Sequence, residues 1–148
     1  MTPRFDATTT APALYKAMAG VEMQIQRSGL EKTLLELVKM RASQINGCAF
    51  CLDMHARDAR AAGETEQRLY LLNAWAESPL FTPRERAALA WTEALTLISV
   101  THAPDAVYAE LLTRFSEEEA VVLTFAIMTI NAWNRLAIAG RFPHAMPG

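Results

Sequence analysis

The chain holds two cysteines, and they lie three residues apart in Asn46-Gly47-Cys48-Ala49-Phe50-Cys51. His55 follows Cys51 by four residues, so the chemistry-bearing pattern is C-x-x-C-x-x-x-H. On a helix, positions i and i+3 share a face. Cysteines so placed have Cα atoms roughly 5–6 Å apart, within reach of a disulfide. Cys48 follows a glycine at the expected start of a helix, where unpaired N–H groups and the helix dipole favour a thiolate. His55 shares a face with Cys51 and can take its proton or stabilise its thiolate near neutral pH. Helix position therefore argues for Cys48 as the more acidic thiol, and the spacing to His55 argues for Cys51. Either way the pattern supplies a nucleophile, a resolving thiol and a base on one surface.

Blander readings compete with this one. Free cysteine is among the most buried residue types, so the pair could be core. A zinc site would use both thiolates and His55, with Glu36, His102 or a neighbouring subunit as the fourth ligand. There is no second C-x-x-C to support it. A thioredoxin-like fold needs a βαβ context that is missing, and a c-type haem needs histidine directly after the second cysteine, where Leu52 stands. Three function classes remain: a redox enzyme, a non-catalytic redox sensor, and a metal-binding helical module.

The elements that must position these residues read as helices almost throughout. Alternating β-branched strands are missing, and helical segments flank the dipeptide Asn46-Gly47. The expected helices run from about Pro12 to Arg27 behind a Thr10 cap, Glu31 to Ile45, Cys48 to Ala62, and Thr65 to Glu77. Others run from Thr82 to Ser99, Pro104 to Thr113, and Ser116 to Ala139, where Gly140 stops the last. Thr82-Pro83-Arg84-Glu85 and Ser116-Glu117-Glu118-Glu119 are capping boxes. Leu34, Leu35, Leu37, Val38 and Ile45 give the second helix its apolar face. The fold class is all-α with about seven helices and no sheet. Residues 1–148 are read as one domain, with the redox core at about 31–77.

Composition narrows the partners. The net charge is −2, and the run Arg57–Arg60 is broken by Asp58, so nothing points to nucleic acid. The N-terminal MTPRFDATTTAP has no apolar core of a signal peptide. The apolar stretch Ala120–Trp133 is shorter than the roughly 20 residues a membrane span needs. No membrane partner is expected, and the compartment reads as the cytoplasm, where an inert disulfide staple is rare. Hydrophobic residues make up 51% and charged residues 20%, which leaves apolar surface for an oligomer to cover. Among other residues, His102 reads as a loop or cap position and His144 as part of a terminal tail. Trp75, Trp91 and Trp133 read as packing residues, with Tyr70 and Trp75 the candidates for a pocket wall. Asn131 and Asn134 are candidates for pairing across an interface. Glu36 alone reads as an ordinary solvated helix glutamate.

The segment from Glu36 to Arg60, ELVKMRASQINGCAFCLDMHARDAR, resembles the core of the carboxymuconolactone decarboxylase/alkylhydroperoxidase AhpD-like family. The shared pattern is a glutamate, a cysteine twelve positions later, then x-x-C and x-x-x-H, onto which Glu36, Cys48, Cys51 and His55 fall one by one. The likeness covers about Leu34 to Trp75, and FTPRERAALAWTEALT resembles the family's next helices. The resemblance implies an all-helical fold assembling as trimers or hexamers. It implies a disulfide-cycling peroxidase with no cofactor or metal, in which Cys51 attacks a hydroperoxide, Cys48 resolves the sulfenic acid, and His55 and Glu36 relay the proton. A dithiol, from a lipoyl protein or a thioredoxin-type donor, would reset the pair. One departure stands out: the peroxidase branch has a histidine immediately before the second cysteine, and this chain has Phe50. The decarboxylase branch lacks the cysteine pair, so lactone decarboxylation is not implied.

Overall fold

The structure, a computed structural model, describes residues 2–145. Its helices are α1 (Ala7–Thr10), α2 (Pro12–Gln26), α3 (Lys32–Asn46), α4 (Ala49–Ala61) and α5 (Glu66–Leu71). A 3₁₀ turn (Leu72–Ala74) follows, then α6 (Pro83–Thr96), α7 (Ile98–Thr101), α8 (Asp105–Leu112) and α9 (Glu117–Gly140). There is no strand among the described residues. The all-α expectation holds, with two short helices, α1 and α7, added to the expected set. Thr10 does not cap α2: it lies inside α1, whose own N-cap Asp6 accepts from the Thr8 amide. Both expected capping boxes form, at Thr82/Glu85 and Ser116/Glu119.

Helix α3 is the axis of the molecule. It packs against α4, α6 and α9, and every residue from Leu34 to Met40 is buried. One side contributes Leu34, Leu35 and Val38 to a core with Ala88 of α6 and Leu123 and Ile127 of α9. The other contributes Leu37 and Met40 to a second core with Ala59, Leu69, Leu72 and Phe81. A helix buried on both sides must also bury its polar residues, so Glu36, Lys39 and Ser43 need partners from its neighbours.

The long apolar segment lies in α9, which is longer than the stretch read from sequence. Its 24 residues are long and apolar enough, by length and composition, to cross a bilayer. Here it packs along α2, α3, α4, α6 and α8. Asn131 and Asn134 are buried in this packing, and both accept from the Asn46 side chain at 3.0 and 2.9 Å. The expected pairing across an interface is thus an intrachain network, completed by Asn134 donating to Ser43 Oγ.

Arginines tie the helix starts together. Arg84 binds Glu31 at 2.8 Å and the capping-box Glu119 at 2.7 Å, and its guanidinium lies 3.9 Å above the Phe115 ring. Hydrogen bonding to Arg84 holds both carboxyls below their ordinary value. The folded state therefore takes up these protons less readily than the unfolded chain. The resulting stability is complete above the ordinary value of 4.5 and is lost as pH falls through the depressed folded values. Arg84→Leu should cost about 1 kcal/mol at pH 7, allowing for screening at this half-exposed site. Thermal melts should show the gap between wild type and variant narrowing at pH 3; an equal gap at both pH values would assign the loss to packing on Phe115.

Candidate functional site

Two residues connect α3 to α4, and both are specialised. Gly47 ends α3 in the left-handed region (φ 69), with its N–H bonded to the Ser43 carbonyl. Cys48 then takes an extended conformation and serves as the N-cap of α4. Its Sγ accepts the Cys51 amide at 3.3 Å, so a sulfur occupies the place a serine or aspartate oxygen usually takes. The Cα atoms of Cys48 and Cys51 are 5.3 Å apart, and the two sulfurs are joined in a disulfide. Both cysteines are buried, at 1% and 2% exposure.

One turn further along α4, His55 meets Glu36 of α3, with Nδ1 to Oε2 at 2.8 Å. Both side chains are buried. A carboxylate only accepts, so Nδ1 carries the proton and Nε2 is the nitrogen left free for chemistry. The structure therefore brings together all four residues singled out from sequence: Cys48 and Cys51 at the start of α4, His55 one turn on, and Glu36 behind it. Glu36 is not a solvated helix glutamate.

A cavity of about 310 Å³ opens beside His55. Its walls are aromatic: Tyr15 stacks edge-on to Trp133 at 5.1 Å, and Phe50 edge-on to Phe142 at 5.6 Å. Phe50, Phe142 and Ala137 also pack on the cysteine pair. Phe142 reaches it through the turn after α9. Arg141, not Gly140, takes the left-handed conformation there (φ 56), and the Phe142 N–H bonds back to Ala137 O. Gly140 is needed for space, since a Cβ there would lie 2.6 Å from the Phe142 ring and 2.9 Å from Phe5. The polar lining includes Glu36, His55, Asp58 and the ion pair of buried Lys39 with half-buried Glu22, which fastens α2 to α3.

Several of these residues were not visible as site residues in the sequence. Tyr15, Lys39, Asp58, Trp133 and Phe142 carry no motif and come from four helices and the segment after α9. The expected wall candidates lie elsewhere: Tyr70 is 75% exposed, and the Trp75 indole donates to Glu93 at 2.7 Å. For a metal, Glu36, His55 and Asp58 place one donor atom each within 4.8 Å of one another. In the disulfide state neither cysteine offers a thiolate. His102 is exposed at the end of α7 and belongs to no such donor cluster among the described residues, and His144 is exposed.

A family model for the carboxymuconolactone decarboxylase family matches residues 12–94. The chain belongs to this family. It is 45% identical to the uncharacterized protein YdfG of Bacillus subtilis, over 94% of this chain and 95% of that one. A crystal structure of a protein of unknown function from Agrobacterium tumefaciens superposes with a TM-score of 0.96 at 44% identity, covering 99% of this chain and all of the other. A 45-residue stretch is 40% identical to the alkyl hydroperoxide reductase AhpD of Bradyrhizobium diazoefficiens, which is 30% of this chain and 25% of that protein. The family includes enzymes, the alkyl hydroperoxide reductase AhpD among them.

The Glu36–His55 bond generates a direct test. In reduced protein, Glu36→Ala leaves Nδ1 without its acceptor and frees the ring to turn. The alkylation rate of Cys51 by iodoacetamide at pH 7 should fall about tenfold or more. An unchanged rate, with the fold intact by circular dichroism, would reduce the pair to a structural contact.

Proposed function

We propose that the protein is a cytoplasmic thiol peroxidase that reduces hydroperoxides through a Cys48–Cys51 disulfide cycle. The observation that carries this reading is the disulfide set one helical turn from a histidine whose Nδ1 is held by a buried glutamate. In the first step the Cys51 proton passes to His55 Nε2, and the thiolate attacks the terminal peroxide oxygen. The S–O bond forms, the O–O bond breaks, and the leaving alkoxide takes the proton from His55 to depart as an alcohol. The Cys48 thiol then attacks the sulfenic sulfur. The S–S bond forms and hydroxide leaves, taking the Cys48 proton to give water. An external dithiol restores both thiols and is itself oxidised to a disulfide, which fits a lipoyl or thioredoxin-type donor. Burial of both cysteines supports a pair that cycles within the protein.

Cys51→Ser should abolish catalysed peroxide consumption in a dithiol-coupled assay. Cys48→Ser should still consume one equivalent and accumulate a sulfenic acid that dimedone traps. Full turnover by either variant would sink the two-cysteine cycle. Reversible oxidation of the wild type without turnover would favour a redox sensor instead.

We also propose that the chain assembles with copies of itself as a trimer or hexamer. Val121, Phe125 and Met128 form a half-exposed apolar stripe on α9, beside Val21 of α2. Covering such a stripe removes apolar area that a lone chain leaves in water. Light scattering coupled to gel filtration should give a mass of three or six chains, and Phe125→Glu with Met128→Glu should lower it. A monomeric wild type would rule the assembly out.

A further inference from the structure

The cavity beside His55 is unbalanced in charge. Three carboxylates line it, from Glu22, Glu36 and Asp58, against one lysine. Lys39 is bound to Glu22 and so has no charge to spare for a ligand. Glu36 is matched to His55. Asp58 has no salt-bridge partner among the described residues, and it faces solvent at the rim. The nearest arginine on its helix, Arg57, is bound to Asp53 at 2.7 Å. Even with His55 protonated, the lining keeps a net negative charge. Four aromatic rings, from Tyr15, Phe50, Trp133 and Phe142, form much of the remaining wall, and ring faces repel anions while tolerating neutral groups and attracting cations. Phe50, Ala137 and Phe142 line the cavity and also pack on the cysteines, so the cavity borders the buried disulfide across these three side chains.

We propose that this cavity is the approach to the disulfide and that it selects small-molecule partners by charge, admitting neutral and cationic organic molecules and turning away anionic ones. The proposal rests on the redox reading of the same site. It narrows the oxidant to uncharged hydroperoxides, such as an ester in place of the corresponding carboxylate. It narrows the reductant to thiols on uncharged or cationic arms. In that half-reaction the incoming thiolate forms a mixed disulfide with one cysteine and displaces the other as a thiolate. A second thiol then completes the exchange and leaves as the oxidised disulfide.

The test uses the oxidised full-length protein and three monothiols with one reactive group and different charge: cysteamine, 2-mercaptoethanol and 3-mercaptopropionate. Rates of Cys48–Cys51 reduction are followed by alkylation and mass spectrometry and normalised to the thiolate concentration of each reagent. At low salt the order should be cationic, neutral, anionic, with an end-to-end ratio of about tenfold or more. The ratio should shrink several-fold in high salt and in Asp58→Asn. It should persist in Asp105→Asn, which removes an equal charge from α8. Equal normalised rates in the wild type, or a ratio that Asp58→Asn leaves intact, would overturn charge selection. Reduced protein mixed with tert-butyl hydroperoxide separates the two ideas. Thiols that survive the peroxide beside a steep monothiol ratio refute the peroxidase and keep the selection. Thiols that are consumed beside a flat ratio do the reverse.

Discussion

A helix that is buried on both faces cannot carry a polar side chain without a partner, and α3 carries several. Glu36 takes His55, Lys39 takes Glu22, Ser43 takes Asn134, and Asn46 takes Asn131 and Asn134. No buried side-chain nitrogen or oxygen among the described residues lacks a partner. Together these bonds tie α3 to three neighbours: α4, α2 and α9. The cost of leaving any of them unmade, about 1–3 kcal/mol for a neutral group and more for a charged one, fixes the helices relative to one another. The pairing of Glu36 with His55 is thus both a condition for packing α3 and the feature that orients the imidazole.

Much of this was legible in the residues themselves. Gly47 and Gly63, both at positive φ, end their helices where the sequence placed the ends, and Thr82 and Ser116 start theirs. These signals are local, so a one-dimensional reading captures them. The four candidate residues were legible for the same reason: three lie within one helix and its cap, and the fourth follows from resemblance. Gly140 shows the limit. It reads as a helix stop, yet its small size serves a ring from Phe142 and another from Phe5, and Arg141 makes the turn.

The cavity was invisible because its walls join distant parts of the chain. Tyr15 of α2 meets Trp133 of α9, and Phe50 of α4 meets Phe142 beyond α9. Each of these residues fits the apolar pattern of its own helix or segment. Only the packing of α9 against both α2 and α4 makes them a single enclosure. Lys39 is similar: on a helix drawn alone it is one cation among others, and its burial follows from Glu22 arriving on α2.

The use of Cys48 as an N-cap gives the sulfur a second occupation. In most helices the capping atom is chemically inert, and the first turn has one fixed environment. Here the atom that accepts the Cys51 amide is also one half of the disulfide. A thiolate, a thiol and a disulfide sulfur differ sharply as hydrogen-bond acceptors. A change in the oxidation state of Cys48 would therefore change the acceptor that caps the first turn of α4. The backbone amides near Ala49 and Cys51 would then read out the oxidation level at the start of the helix that holds His55.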